Sequence, residues 1–400
     1  MPGVFARLVG QQAVEAELVA AARAARGDSA HSPAMSHAWL ITGPPGSGRS
    51  VAALSFAAAL QCTADGVPGC GQCRACTTTM AGTHADVRRV IPEGLSIGVD
   101  EMRAIVQIAS RRPSTGRWQI VLIEDADRLT EGAANALLKV VEEPPPSTVF
   151  LLCAPSVDPE DIAITLRSRC RHVALVTPSA PAIAQVLVDG DGLDADTAHW
   201  AASVSGGHVG RARRLATDAD ARRRRQRALE LARDAATPSR AYAAAEELVA
   251  AAEAEAYEST AGRDEAETEE LRTALGAGGT GKGTAATLRG ATGAIKDLER
   301  RQKSRQTRAS RDALDRALID LATYFRDSLM VATGAHTVRA NHPDMADRAT
   351  AMAAHASPER LLRCIEAVLQ CREALAVNVK PKFAVDAMVA TIGQALRLDR

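Results

Sequence analysis

Across 400 residues, 48 basic and 48 acidic side chains cancel, which excludes a whole-chain field that attracts nucleic acid. A chain of this length buries sizeable cores and divides into two or three domains, and its 3% aromatic content and abundant alanine favour helical packing over a sandwich or barrel. No stretch approaches the roughly 18 apolar residues of a membrane span, and MPGVFARLVGQQ lacks a basic-then-apolar leader pattern, so a cytoplasmic protein without membrane contact is expected.

In chain order, HAWLITG (37–43) reads as an apolar strand entering a glycine turn, and SVAALSFAAALQC (50–62) as the helix after it. VRRVI (87–91) is a second strand. VDEMRAIVQIASRR (99–112) is a helix with Asp100 and Glu101 at its positive end. WQIVLIEDADRL (118–129) is a third strand ending in acids. EGAANALLKVVEE (131–143) is a helix stopped by Pro144 to Pro146. STVFLLCA (147–154) and RHVALV (171–176) complete five strands. This alternation predicts an α/β fold, a mostly parallel sheet covered on both faces. Beyond Pro178 the pattern is helical, with a glycine break at SGGHVG (205–210) and a basic run, RRRRQR, at 222–227. Residues 251–310 read as charged helix ends flanking a flexible glycine-rich loop. Helical periodicity resumes at 311 and continues through PERLLRCIEAVLQCREALAVN.

Two glycine-rich stretches invite a phosphate-binding reading. GAGGTGKG (276–283) carries Lys282, but no strand precedes it and Gly283 follows the lysine, so it reads as linker. GPPGSGRS (43–50) has the required strand–turn–helix context. Gly43, Gly46 and Gly48 let backbone N–H groups point inward, and Ser50 is placed to ligate magnesium. Its departure is Arg49 where the pattern wants lysine, and a planar guanidinium does not replace a compact ammonium. The acidic counterpart departs too. After IVLI the order is Glu124-Asp125, which shortens the carboxylate that would address a water, and a 1 Å misplacement can cost about 100-fold. The loop either still holds ATP or ADP or persists as scaffold; efficient hydrolysis is not expected. Cys62, Cys70, Cys73 and Cys76, spaced C-x7-C-x2-C-x2-C, can close a tetrahedron around a structural zinc ion, with an iron–sulfur centre as the alternative. Arg169, in TLRSRCR, is either surface charge or, in a ring of related subunits, a group reaching a neighbour's γ-phosphate.

FARLVGQQ, GPPGSGRS, the four-cysteine module, SIGVDEMRAI, DADRLTEGAANALLKVVEEPPPSTVFLL and TLRSRC together resemble the AAA+ clamp-loader subunits of bacterial DNA polymerase III, the delta-prime branch among them. The resemblance covers about the first 215 residues well. It implies an AAA+ P-loop module with the zinc module at 62–76 over 1–178, a helical lid over 179–225, and an all-α collar over 226–400 containing the charged insert 251–310. It further implies a non-motor stator that donates Arg169 to an adjacent ATPase subunit during clamp loading. Glu124, Asp125 and Arg211 would line a degenerate nucleotide site, and the γ-phosphate sensor is replaced within CAPS (153–156). The implied partners are clamp-loader ATPase subunits and a clamp-opening subunit, the sliding clamp indirectly, and primer–template DNA through the assembly. The alternative is an ATPase motor subunit with its own cycle.

Overall fold

The computed structural model describes residues 3–27, 34–275, 284–335 and 337–397. It divides into one unit ending at Ala216 and a second starting at Thr217.

In the first unit α1 (Gln12–Arg26) leads to β1 (Ala38–Thr42), α2 (Arg49–Gln61) and α3 (Arg74–Met80). Then follow β2 (Val87–Val90), α4 (Val99–Ala109), β3 (Gln119–Ile123), α5 (Glu131–Glu142), β4 (Thr148–Ala154), α6 (Ile164–Arg167) and β5 (Arg171–Ala174). The five strands form one parallel sheet in the order β2-β3-β4-β1-β5. β1, β3 and β4 are buried at every position, which is why they read as unbroken apolar runs. Alternate residues serve opposite faces. Trp39, Ile41, Ile120 and Leu122 pack with α1 and α2, whereas Leu40, Val121, Ile123 and Phe150 pack with α4 and α5.

The third strand is shorter than its sequence suggests. It ends at Ile123, and Ala126–Arg128 turn into a 3-10 helix, so Glu124 and Asp125 lie just past the carboxyl end of β3. The register Ile123↔Leu152 and Thr42↔Ala154 brings that end beside the start of the glycine loop. A crevice outside the carboxyl ends of parallel strands is where such sheets bind ligands. Asp86 fastens the far end of the sheet: it is buried and accepts five hydrogen bonds, from Ser114 N and Oγ, Thr115 N and Oγ1, and Gly116 N. Three short helices, α7 (Ala180–Asp191), α8 (Ala195–Ser203) and α9 (Val209–Thr217), finish the unit.

The second unit is all-helical: α10 (Ala219–Ala235), α11 (Pro238–Ala274), α12 (Thr284–Ala332), α13 (Ala346–His355), α14 (Pro358–Ala376) and α15 (Pro381–Leu396). The basic run at 222–227 therefore lies on α10, and its arginines have acidic partners: Arg224 with Glu255, Arg225 with Asp344, Arg227 with Glu247. Residues 251–274 of α11 and 284–310 of α12 belong to two long antiparallel helices whose seam is small and ionic, with Ala256 and Thr260 buried and Arg305 held by Asp264 and Glu267 at 2.5 and 3.0 Å. Arg316 and Glu255 pair at 3.0 Å farther along. The GAGGTGKG linker reading falls outside the described residues.

A buried polar knot fixes the chain after α12. His342 Nδ1 accepts from Arg225 at 2.8 Å, its Nε2 meets Thr323 Oγ1 at 2.9 Å, and Asp327 accepts its backbone N–H at 2.8 Å. Burial, reinforced by Arg225, lowers the His342 pKa; Asp320, Asp327 and Asp344 pull the other way without prevailing. With the folded value below the unfolded one, the unfolded chain takes up the proton first as pH falls. The stability is thus complete above about pH 6.5 and is lost below it. The melting temperature is expected to drop between pH 7.5 and 5.5, and His342→Asn to flatten that slope; an unchanged slope in the variant refutes the assignment.

Candidate functional site

The glycine loop joins β1 to α2 as expected, with Gly46 and Gly48 at φ +85° and +96°. What fills the loop is the chain itself. Arg49 Nη1 donates to Gly43 O at 2.7 Å, so the cation at the seventh place folds back onto the first residue of its own turn. A Cβ on Gly46 would lie 2.5 Å from Cα, Cβ and Cγ of His208, the residue just before α9. His208 is fixed in turn by the backbone N–H of Arg211, which donates to its Nδ1 at 3.2 Å. Arg211 thus sits in the helical turn that presses on the loop. Ser50 is half-buried in the first turn of α2.

Gln11, buried before α1, is a residue that sequence reading did not single out. Its Nε2 donates to Val176 O at 2.6 Å and to Ser47 O at 3.4 Å, while its Oε1 accepts from Val176 N at 3.2 Å. It ties the glycine loop to the segment after β5. A lone glutamine ahead of a helix carries no sequence signal for that task.

The acids beyond β3 are arranged differently from a magnesium site. Glu124 accepts from Arg89 Nε at 2.9 Å and Nη2 at 2.5 Å, and its side chain is largely buried. An arginine that grips one carboxylate oxygen through two N–H groups competes directly with a divalent cation. Asp127, the last acid of that stretch, is raised above the usual carboxylate range by burial and by Asp125, with Arg49 opposing. Cys153 is fully buried in β4 opposite Ile41, its thiol pushed up by burial and by Glu124. Ser156, the hydroxyl of CAPS, instead donates to Asp161 at 2.7 Å. Arg49, Glu124 and Gly46, at the cationic, acidic and loop positions of a magnesium–nucleotide site, are each engaged by groups of this chain, which disfavours that complex.

Arg169 lies in the turn after α6. Its Nη2 meets Glu142 Oε1 at 2.5 Å, and Nη1 donates to Thr165 O at 3.0 Å and Ser168 Oγ at 3.2 Å, leaving the side chain 40% exposed.

The four cysteines converge. Their Sγ atoms all lie within 4.8 Å of one another, close to the roughly 3.8 Å edge of a tetrahedron with 2.3 Å metal–sulfur bonds. Backbone N–H groups of Cys73 and Cys76 point at the Cys70 and Cys73 sulfurs at 3.3 and 3.5 Å. Burial opposes ionisation of Cys73, but hydrogen bonds from Cys76 and Thr63 outweigh it and bring its pKa to about 6. Cys76 goes the other way, raised by burial and by the neighbouring cysteines. Arg26 braces the loop after Cys62, donating to Cys62 O at 2.8 Å and Ala64 O at 3.0 Å. This donor set can hold a thiophilic metal ion.

Residues 25–179 match the family described as DNA polymerase III, delta subunit. The chain is 38% identical over 165 residues to DNA polymerase III subunit delta' of Escherichia coli (strain K12), covering 40% of this chain and 46% of that protein. It is 32% identical over 173 residues to DNA polymerase III subunit gamma/tau of Mycobacterium tuberculosis (strain ATCC 25618 / H37Rv), covering 43% of this chain and 28% of that one. A solved gamma subunit-related protein of Thermotoga maritima aligns over 95% of this chain and all of its own, at 15% identity and a TM-score of 0.43. The chain spans less than half the length of these curated relatives. The matched segment, residues 25–179, is less than half of the chain, and over it the sequence is similar to bacterial DNA polymerase III delta-prime subunits.

Proposed function

We propose that the chain is a non-motor stator subunit of a DNA polymerase III clamp loader. In this reading it supports ATP-dependent loading of a sliding clamp onto primed DNA. It hydrolyses no ATP itself and lends Arg169 to the ATPase site of a neighbouring subunit. Its partners are then the ATPase subunits and the clamp-opening subunit, with the clamp and the primer–template met through the assembly. The four cysteines carry a structural zinc ion, coordinatively saturated and remote from chemistry.

The observation that carries this reading is the self-filled glycine loop: Arg49 on Gly43 O, with His208 against Gly46. Hydrolysis needs a cation at the β/γ-phosphates and an acid on magnesium. Here the first is folded away and Glu124 is held by Arg89. The competing reading, a motor subunit with its own cycle, has the 32% identical gamma/tau relative in its favour. Titration of the isolated chain with a fluorescent ATP analogue and magnesium decides between them. No saturable binding is expected below about 1 mM, the upper end of ordinary substrate affinities. Arg49→Lys alone is not expected to restore turnover, because His208 and the Arg89–Glu124 pair remain. Tight magnesium-dependent binding with turnover by the unaltered chain defeats the non-motor reading.

A further inference from the structure

Resting on that reading of Arg169, we propose that Glu142 is a positioning residue for the arginine presented to the neighbouring subunit. Glu142 is the last residue of α5, followed by Glu143 and the Pro144 to Pro146 stop. A carboxylate there faces the negative end of the helix dipole, which is an unfavourable place for an acid unless a cation answers it. The answering cation is Arg169, at 2.5 Å from Glu142 Oε1.

The geometry is that of a rest rather than a burial. Three acceptors hold the guanidinium: Glu142 Oε1 on Nη2, and Thr165 O and Ser168 Oγ on Nη1. Thr165 and Ser168 come from the same short stretch as Arg169, so they move with it. Glu142 is the only one of the three that ties the arginine to a different element, the rigid helix packed on the sheet through Leu137 and Val141. Yet the side chain stays 40% exposed, open to an anion from outside. An arginine has five N–H donors in a fixed fork, so a guanidinium held by one edge can still offer another. Pre-ordering a long flexible side chain lowers what the transition state must spend in orienting it.

The test uses the reconstituted assembly with ATPase and clamp-opening subunits, reading kcat and KM for ATP. Glu142→Ala is expected to lower kcat about threefold to tenfold with KM nearly unchanged, an intermediate misplacement effect. Glu142→Gln, which keeps an oxygen acceptor, is expected to recover part of the loss. In an Arg169→Ala background, Glu142→Ala is expected to change nothing further, because it acts only through the arginine. A kcat that is unchanged or raised in Glu142→Ala overturns the proposal. So does an equal loss in both backgrounds, which would mark Glu142 as a brace of the fold. If Arg169→Ala alone has no effect, the arginine assignment itself fails and Glu142 falls with it.

Discussion

Arg169→Ala is expected to slow hydrolysis at the neighbouring subunit's site by about a thousandfold, the lower end of what inserted arginines contribute to phosphoryl transfer. In the proposed role the arginine would stabilise charge that builds on the transferring phosphoryl group only in the transition state, so kcat rather than ATP affinity would carry the loss. Bulk ATPase of the assembly falls by that one site's share, while clamp loading, which needs the assembly to act together, falls at least about tenfold. Arg169→Lys is not a rescue, since a single ammonium cannot both keep the Glu142 contact and present a second N–H edge. The isolated variant is expected to keep its fold, because Arg169 is 40% exposed and its pair with Glu142 is solvated, a class of ion pair worth about 0–1 kcal/mol. Pre-steady-state phosphate release from the reconstituted assembly measures the effect. An unchanged rate at every site removes Arg169 from the mechanism.

Much of this architecture is legible in the sequence because it depends on local pattern. AWLIT and TVFLLCA are buried on both faces and announce themselves as apolar runs, and the glycines of GPPGSGRS announce the turn from AWLIT into α2. The cysteine spacing likewise foretells a cluster, since two C-x2-C steps and a glycine-rich connection bring four sulfurs together by local geometry. What the residues cannot announce is who pairs with whom across the fold. Arg89 and Glu124 are 35 residues apart, and only the adjacency of β2 and β3 makes them partners. His208 reaches Gly46 from the far end of the unit. The loss of a lysine at position 49 is visible in one line of sequence, but the return of Arg49 to Gly43 O is a matter of three-dimensional distance. The charged stretch at 251–310 reads as helix ends, but that Arg305 meets Asp264 and Glu267 between two helices depends on the fold and not on local pattern.

Loss of a metal ion held by the four cysteines, as proposed, is the second large effect expected. Cys76→Ser is expected to reduce zinc from near one ion per chain to a small fraction of that, as read by elemental analysis after dialysis. Three sulfurs and a hydroxyl hold zinc far less well than four thiolates. The structural consequence reaches beyond the module. Cys62 and Cys76 are buried against α2, and Gly69 O accepts the backbone N–H of Val4, so the metal loop is built into the same apolar face that carries Trp39 and Phe56. Structural zinc sites hold their peptides with about 10–16 kcal/mol of apparent binding free energy. This unit has its own sheet and core, so only the module and the packing beneath it depend on the ion. A destabilisation of about 3 kcal/mol is the reasonable scale for losing a buried multi-contact brace. At 2–4 °C per kcal/mol for a unit of this size, the melting temperature falls by roughly 6–12 °C. Cys153→Ser provides the control: it is equally buried but lies in β4 outside the cluster, so it leaves the zinc content unchanged. Iron–sulfur loading would instead appear as visible charge-transfer absorption in the purified chain. A colourless, metal-free chain with the unaltered melting temperature would mean that the four sulfurs pack together without an ion, and the zinc assignment would fall.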